Sequence, residues 1–202
     1  MQRLFLTTTA LSAILLLSAC TSPPVLAPAG QLALGASSVK LDRDWTDVTK
    51  ATFVYSAHGP KVHVLTIDAL TLNQMMVSEG LSPSDPLTIN VTTGDTKSHP
   101  SLRGKADMSL SEQMEFVAES VAQTGYNKVE TDSPQPVTVD GVKGVRFGLT
   151  GVTKAGLNIK GLAQAVSKGG LNYYVVYLAP GEHYYDANLR NVTAVMDSVK
   201  LP

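Results

Sequence analysis

Chemistry in a folded chain needs nucleophiles, bases or ligands at workable spacings, and here such residues are few and scattered. The four histidines, His58, His63, His99 and His183, lie far apart and no H-E-x-x-H pattern links any two. The sequence therefore implies neither a metal nor a cofactor. Asp42, Asp44 and Asp47 have the beginning of a calcium-loop spacing. The sixth position of that loop would be Asp47 where glycine is required, and the twelfth Phe53 where glutamate is required. A solvated loop explains the three acids better. No G-x-S-x-G elbow occurs, and Gly141, Gly144 and Gly148 fall in a strand-like stretch with no helix after it, so they do not form a phosphate loop. The densest chemical group is Pro180-Gly181-Glu182-His183-Tyr184-Tyr185-Asp186, one imidazole, two phenols and two carboxylates ahead of a helical pattern. His183, Tyr184 and Tyr185 are candidate contacts to a partner or ligand, because tyrosine offers a large, rigid, amphipathic surface. The competing reading, which we favour, makes one tyrosine a core anchor and the rest a helix cap. His63, Asp68, Asp107 and His183 are the residues that a site assembled from distant positions would use.

Cys20 is the only cysteine, so it has no disulfide partner within the chain. It follows Met1-Gln2-Arg3 and an apolar run from Leu4 to Leu17 broken only by Thr7, Thr8, Thr9 and Ser12. The run is shorter than the ~18 residues that a spanning helix needs. A basic start, a short apolar stretch and small residues at the exit describe an export signal. Leu17-Ser18-Ala19-Cys20 resembles the lipobox of bacterial lipoproteins at all four positions. The resemblance implies cleavage before Cys20, a diacylglyceryl thioether on its sulfur and acylation of the new amino group. Only a thiolate is nucleophilic enough for that bond. Two or three acyl chains make a durable anchor where one is marginal. Thr21 stands where an inner-membrane retention signal would place Asp, so the resemblance points to the outer membrane, facing the periplasm.

Around that cysteine the chain divides into residues 1–19 as signal, 20–40 as lipidated cysteine and tether, and 41–202 as one domain. Pro23, Pro24, Pro28, Gly30 and Gly35 among small residues give the second segment the composition of a flexible linker. As a coil it would span roughly 25 Å. The third is long enough to bury ~70% of its unfolded surface. The net charge of the full chain is −1, and losing Arg3 with the signal makes the remainder more acidic by one unit. Lys and Arg form no cluster of the kind that tracks phosphates, which argues against nucleic acid as a partner.

The elements that must position the candidate residues begin after Trp45. Ala51–Ala57 and Val62–Asp68 read as strands around the turn His58-Gly59-Pro60. Leu70–Glu79 reads as a short helix stopped by Gly80. Residues 81–103 read as an excursion with a short strand at Leu87–Val91. Ser109–Thr124 is the clearest helix: Ser109 and Glu112 make a capping box, and Leu110, Met114, Val117 and Val121 share a face. Gly125 suits its C-terminal end. Strands follow at Pro136–Asp140, Gly144–Val152, Leu157–Val166 and Leu171–Leu178, the last two joined by Lys168-Gly169-Gly170. A closing helix spans Asp186–Val199, capped by Asp186, with Leu189, Val192, Met196 and Val199 as its stripe.

This order predicts an α+β fold, a mostly antiparallel sheet with helices packed on it. The order resembles the sandwich of the photosystem extrinsic protein PsbP and the nuclear transport factor Mog1. Asp107-Met108-Ser109, the loop from Ala179 to Tyr185 and Met196-Asp197-Ser198-Val199 resemble segments of small bacterial lipoproteins, which implies no particular activity. The expected role is a non-enzymatic binding or assembly-accessory module, anchored to a membrane and contacting an envelope protein. The alternative is a small-ligand binder or hydrolase with a dispersed site.

Overall fold

The computed structural model describes residues 23–51, 58–91 and 99–202. The expected signal, Cys20 and most of the strand expected at Ala51–Ala57 lie outside the described residues. Within them the chain runs β1 Val25–Ala27, β2 Gly30–Leu34, β3 Ser37–Leu41, β4 Trp45–Asp47, β5 Val62–Thr66 and β6 Gln74–Ser78. Helix α1, Leu110–Ala122, precedes β7 Asn127–Val139, β8 Val142–Val152, β9 Asn158–Lys168 and β10 Leu171–Pro180, and α2, Tyr184–Asp197, closes the order.

One antiparallel sheet of eight strands has the order β1-β4-β5-β6-β10-β9-β8-β7, and β2 pairs with β3 as a separate hairpin. The fold is therefore α+β, a mostly antiparallel sheet with a helix on each face. Successive strand residues point to opposite faces, and this sheet buries both. Val64, Met76, Val176 and Phe147 meet Phe116, Val117 and Val121 of α1. Leu65, Met75, Val77 and Val175 meet Val192, Val195 and Met196 of α2, together with Leu34, Val39 and Leu41 of the hairpin.

That double burial explains a correction. Leu70–Glu79 is not a helix; its second half is β6, paired with β5 on one side and β10 on the other. Met75-Met76-Val77 is a continuous apolar run because both faces are covered, and periodicity alone cannot tell such a strand from a buried helical turn. No strand forms over Leu87–Val91, where Thr88 makes a lone bridge to His58. Asp186 does not cap α2: the N-cap is His183, which makes no side-chain cap bond, and Asp186 lies in the first turn.

The tether is corrected as well. Residues 25–41 are strands of the domain, not linker, and Leu34, Val39 and Leu41 are at most 2% exposed. Leu34 pairs with Ser37 across Gly35-Ala36. Gly35 has φ +59° at the first central position, the pattern of a type II′ hairpin turn. The hairpin is tied to the far end of the chain by Ser38 N–H to the Lys200 carbonyl (3.0 Å), Lys200 N–H to the Ser38 carbonyl (2.8 Å) and Lys40 N–H to Ser198 Oγ (2.7 Å). Of the two glycines that read as linker, Gly35 is its turn residue and Gly30 opens β2, paired with Leu41.

Two elements follow the sequence closely. Ser109 Oγ accepts from Glu112 N–H and Ser109 N–H donates to Glu112 Oε2 at 2.8 Å, so the capping box is complete. Gly169 and Gly170, at φ +60° and +76°, make a two-residue turn that pairs Leu171 with Lys168. Among the described residues no helix is long and apolar enough to cross a membrane.

Candidate functional site

The end of the sheet where β9 begins and β10 ends carries the most site-like geometry. Gly125, at φ +101°, turns the chain after α1 and lays Tyr126 back over the sheet. Tyr126 Oη accepts a hydrogen bond from Gln74 Nε2 at 3.1 Å, and burial pushes its phenol above the usual tyrosine range. Beyond Tyr126 opens a groove of about 380 Å³. Val64, Met76 and Ile159 form its buried floor, Leu70 and Leu157 its apolar walls, and Thr71, Thr124, Thr153 and His58 its polar margin. Leu157 is held at the rim by the β8–β9 turn, in which Leu157 N–H donates to Thr153 Oγ1 (3.0 Å) and Gly156 takes φ +86°. His58 is fixed, with ring nitrogens 2.8 and 3.0 Å from the carbonyl oxygens of Gly59 and Thr49. The groove is apolar, with hydroxyl and amide groups at its margin, which suits an apolar side chain or ligand.

The expected loop residues sit at the same end, on the α2 face. Gly181 N–H donates to the Asn158 carbonyl (3.1 Å), which ties the loop to the strand start beside the groove. Tyr177 Oη donates to the Tyr184 carbonyl (2.9 Å) and its ring stacks on Tyr185, centroids 6.0 Å apart. Lys160 Nζ lies 5.8 Å from the Tyr185 ring centre. Tyr184 and Tyr185 are half-buried against the α2 layer, while His183 is exposed with its ring edge-on to Tyr184 at 5.2 Å. Burial raises the phenols of Tyr177, to about 12, and of Tyr185, so both stay protonated at neutral pH.

The four dispersed residues are not brought together. Asp68 accepts from Asn73 Nδ2 at 2.6 Å, near Tyr177, and so shares the end that carries His183. His63 is five residues back along β5, about 16 Å at strand rise. Asp107 stands before α1, near the start of β10 where Asn172 Nδ2 reaches the Lys105 carbonyl. His183 lies past the other end of β10, roughly 30 Å away at the same rise.

His63 has different neighbours: Nε2 lies 2.7 Å from Glu79 Oε1 and Nδ1 lies 3.9 Å from Asp47 Oδ2. Asp47, followed by Glu79, raises the imidazole pKa above its ordinary value against the opposing effect of burial. Burial alone would raise Asp47, but His63 and Thr49 outweigh it and hold the carboxyl at about 2. Among the described residues no group of three or more His, Cys, Asp or Glu could hold a metal ion.

Sequence reasoning missed the groove. Its floor residues are apolar strand residues, indistinguishable in sequence from core, and the helical reading of Leu70–Glu79 put Gln74 and Met76 on the wrong kind of element. Gly125 was the one available signal, since a glycine ending a helix directs the next aromatic residue.

No family model matches the chain, and no curated protein matches it. Among solved structures it is similar to cyanobacterial PsbP (CyanoP) from Synechocystis sp. PCC 6803, at 14% identity over 88% of this chain and 92% of that one, TM-score 0.51. It is also similar to the Ran-binding protein Mog1p of Saccharomyces cerevisiae, at 12% identity over 88% and 95%, TM-score 0.47. At these identities the first likeness shows the fold, a PsbP-like α+β sandwich.

Proposed function

We propose that this chain is a lipid-anchored envelope lipoprotein whose α+β domain is a non-enzymatic binding or assembly-accessory module. Leu17-Ser18-Ala19-Cys20 supports the anchor, with the acyl chains in the outer membrane and the domain in the periplasm. The observation that carries the binding role is the groove between Tyr126 and Leu157, with an apolar floor and His183, Tyr184 and Tyr185 on the opposite face of the same sheet end. The occupant we assign to it is an apolar side chain from an envelope protein, with Leu157, 38% exposed, as the first contact.

The test is a photo-crosslinking residue at Leu157 in intact cells, with Gln135 on the far strand as control. One envelope protein captured reproducibly at 157 and not at 135 supports the reading. Equal capture at both positions removes it. A second reading has one observation behind it: about 380 Å³ lies within the size of small-ligand sites. A ligand retained by the purified protein in native mass spectrometry and lost in Ile159→Asp would favour that reading over a protein partner.

A further inference from the structure

We infer that the β1 edge of the sheet, at Val25 and Leu26, is a membrane-contact surface that rests on the leaflet holding the Cys20 acyl chains. The inference depends on the lipoprotein reading above and adds to it an orientation of the domain.

Three observations carry it. Val25 and Leu26, 62% and 64% exposed, are the most exposed large apolar side chains among the described residues. They are consecutive in a strand, so they point to opposite faces, and neither the α1 layer nor the α2 layer covers this margin. β1 is hydrogen-bonded on one side only, to β4 through Val25–Asp47, Leu26–Thr46 and Ala27–Trp45, and is the last strand of the sheet. Finally, Cys20 is five residues before Val25. Whatever its conformation, a segment of that length cannot exceed about 18 Å. A lipidated Cys20 would therefore hold β1 within that distance of the leaflet.

Two apolar side chains alone make a weak membrane ligand. Attached by a short segment to acyl chains already inserted, they act at an effective concentration of millimolar order, where a weak contact is well populated. The opposite edge of the sheet, β7, is seven strand spacings away, about 34 Å. It carries Asp132, Pro134 and Gln135, all exposed, and has no comparable apolar pair. The surface fits the interfacial zone of a bilayer, which accepts apolar side chains without requiring basic ones.

The experiment uses the mature lipidated chain in phosphatidylethanolamine–phosphatidylglycerol vesicles. Lipidation occupies the only native thiol, so an introduced cysteine carries the fluorophore alone. The probe is placed at Leu26, and separately at Gln135, and nitroxide-bearing lipids are added as quenchers. We expect at least threefold stronger quenching at 26 than at 135. A third probe at Ala29 in the V25S/L26S variant should lose most of the quenching that it shows with the native pair. Equal quenching at 26 and 135 in a chain whose acyl groups are confirmed by mass overturns this inference and leaves the lipoprotein reading intact. Unchanged quenching at Ala29 in the serine variant also overturns it, because the short tether would then act without the apolar pair. An unmodified Cys20 overturns both readings.

Discussion

His63 lies between two carboxylates that come from different strands, and its charge joins them. Asp47 belongs to β4 and Glu79 follows β6, so an imidazolium on β5 links three neighbouring strands on the face covered by α2 and the hairpin. Glu79 also packs under the hairpin turn, where a Cβ on Gly35 would lie 3.2 Å from its Oε2. The raised pKa fixes the sign of the pH dependence. Stability from the charged imidazole is fully present below its unfolded value near 6.5 and is lost as pH rises through the higher folded value. Glu79→Gln should therefore cost about 1 kcal/mol at pH 6, allowing for partial exposure, and much less at pH 9. Urea unfolding at the two pH values checks this, and equal losses would show that the bond matters only as a neutral contact. Asp47 has the opposite sign: its contribution is held above pH 4 and disappears as pH falls toward about 2.

Each helix is stabilised differently, and the sequence disclosed only one of the two devices. Helix α1 has a reciprocal capping box, so Ser109→Ala should cost about 1 kcal/mol and lower the melting temperature, whereas Ser109→Asp should retain most of the stability. Helix α2 has no side-chain cap, and its N-terminus is fixed by Tyr177 Oη on the Tyr184 carbonyl and by the Tyr185 stack. Sequence patterns located α1, the β9–β10 turn, β8, β9 and β10, and of β7 only the end from Pro136, because local rules govern them: a cap three residues from its partner, two glycines at positive φ, alternating side chains. They failed at β6 and at the β2–β3 hairpin, where both the strand state and the burial come from chain segments distant in sequence. The candidate site divides in the same way. His183, Tyr184 and Tyr185 were visible as a local cluster. The groove floor, drawn from β5, β6 and β9, becomes a site only when the sheet brings Val64, Met76 and Ile159 to one end.

For the whole molecule, the decisive change is that the domain begins near Val25. The hairpin and α2 form one layer, joined by the Ser38–Lys200 bridge and by Lys40 N–H on Ser198 Oγ, so the start and the end of the described chain stabilise each other. Burying Leu34, Val39 and Leu41 contributes about 1.5–3 kcal/mol each. Their sum is comparable with the ~5–15 kcal/mol net stability of a typical domain. A chain beginning at residue 42 should therefore lose cooperative unfolding or shift to much lower urea, with a smaller denaturant slope, relative to one beginning at residue 21. Coincident unfolding curves would return residues 21–41 to the status of a linker. The same comparison bears on the lipid anchor proposed above. If the hairpin is integral to the fold and Cys20 carries the proposed lipid, four residues separate Cys20 from the sheet in place of about twenty, and the domain would have little freedom to reach across the envelope. On the anchored reading proposed above, a partner for the groove would then meet the domain near the lipid surface, which makes another protein of that same membrane the fitting occupant.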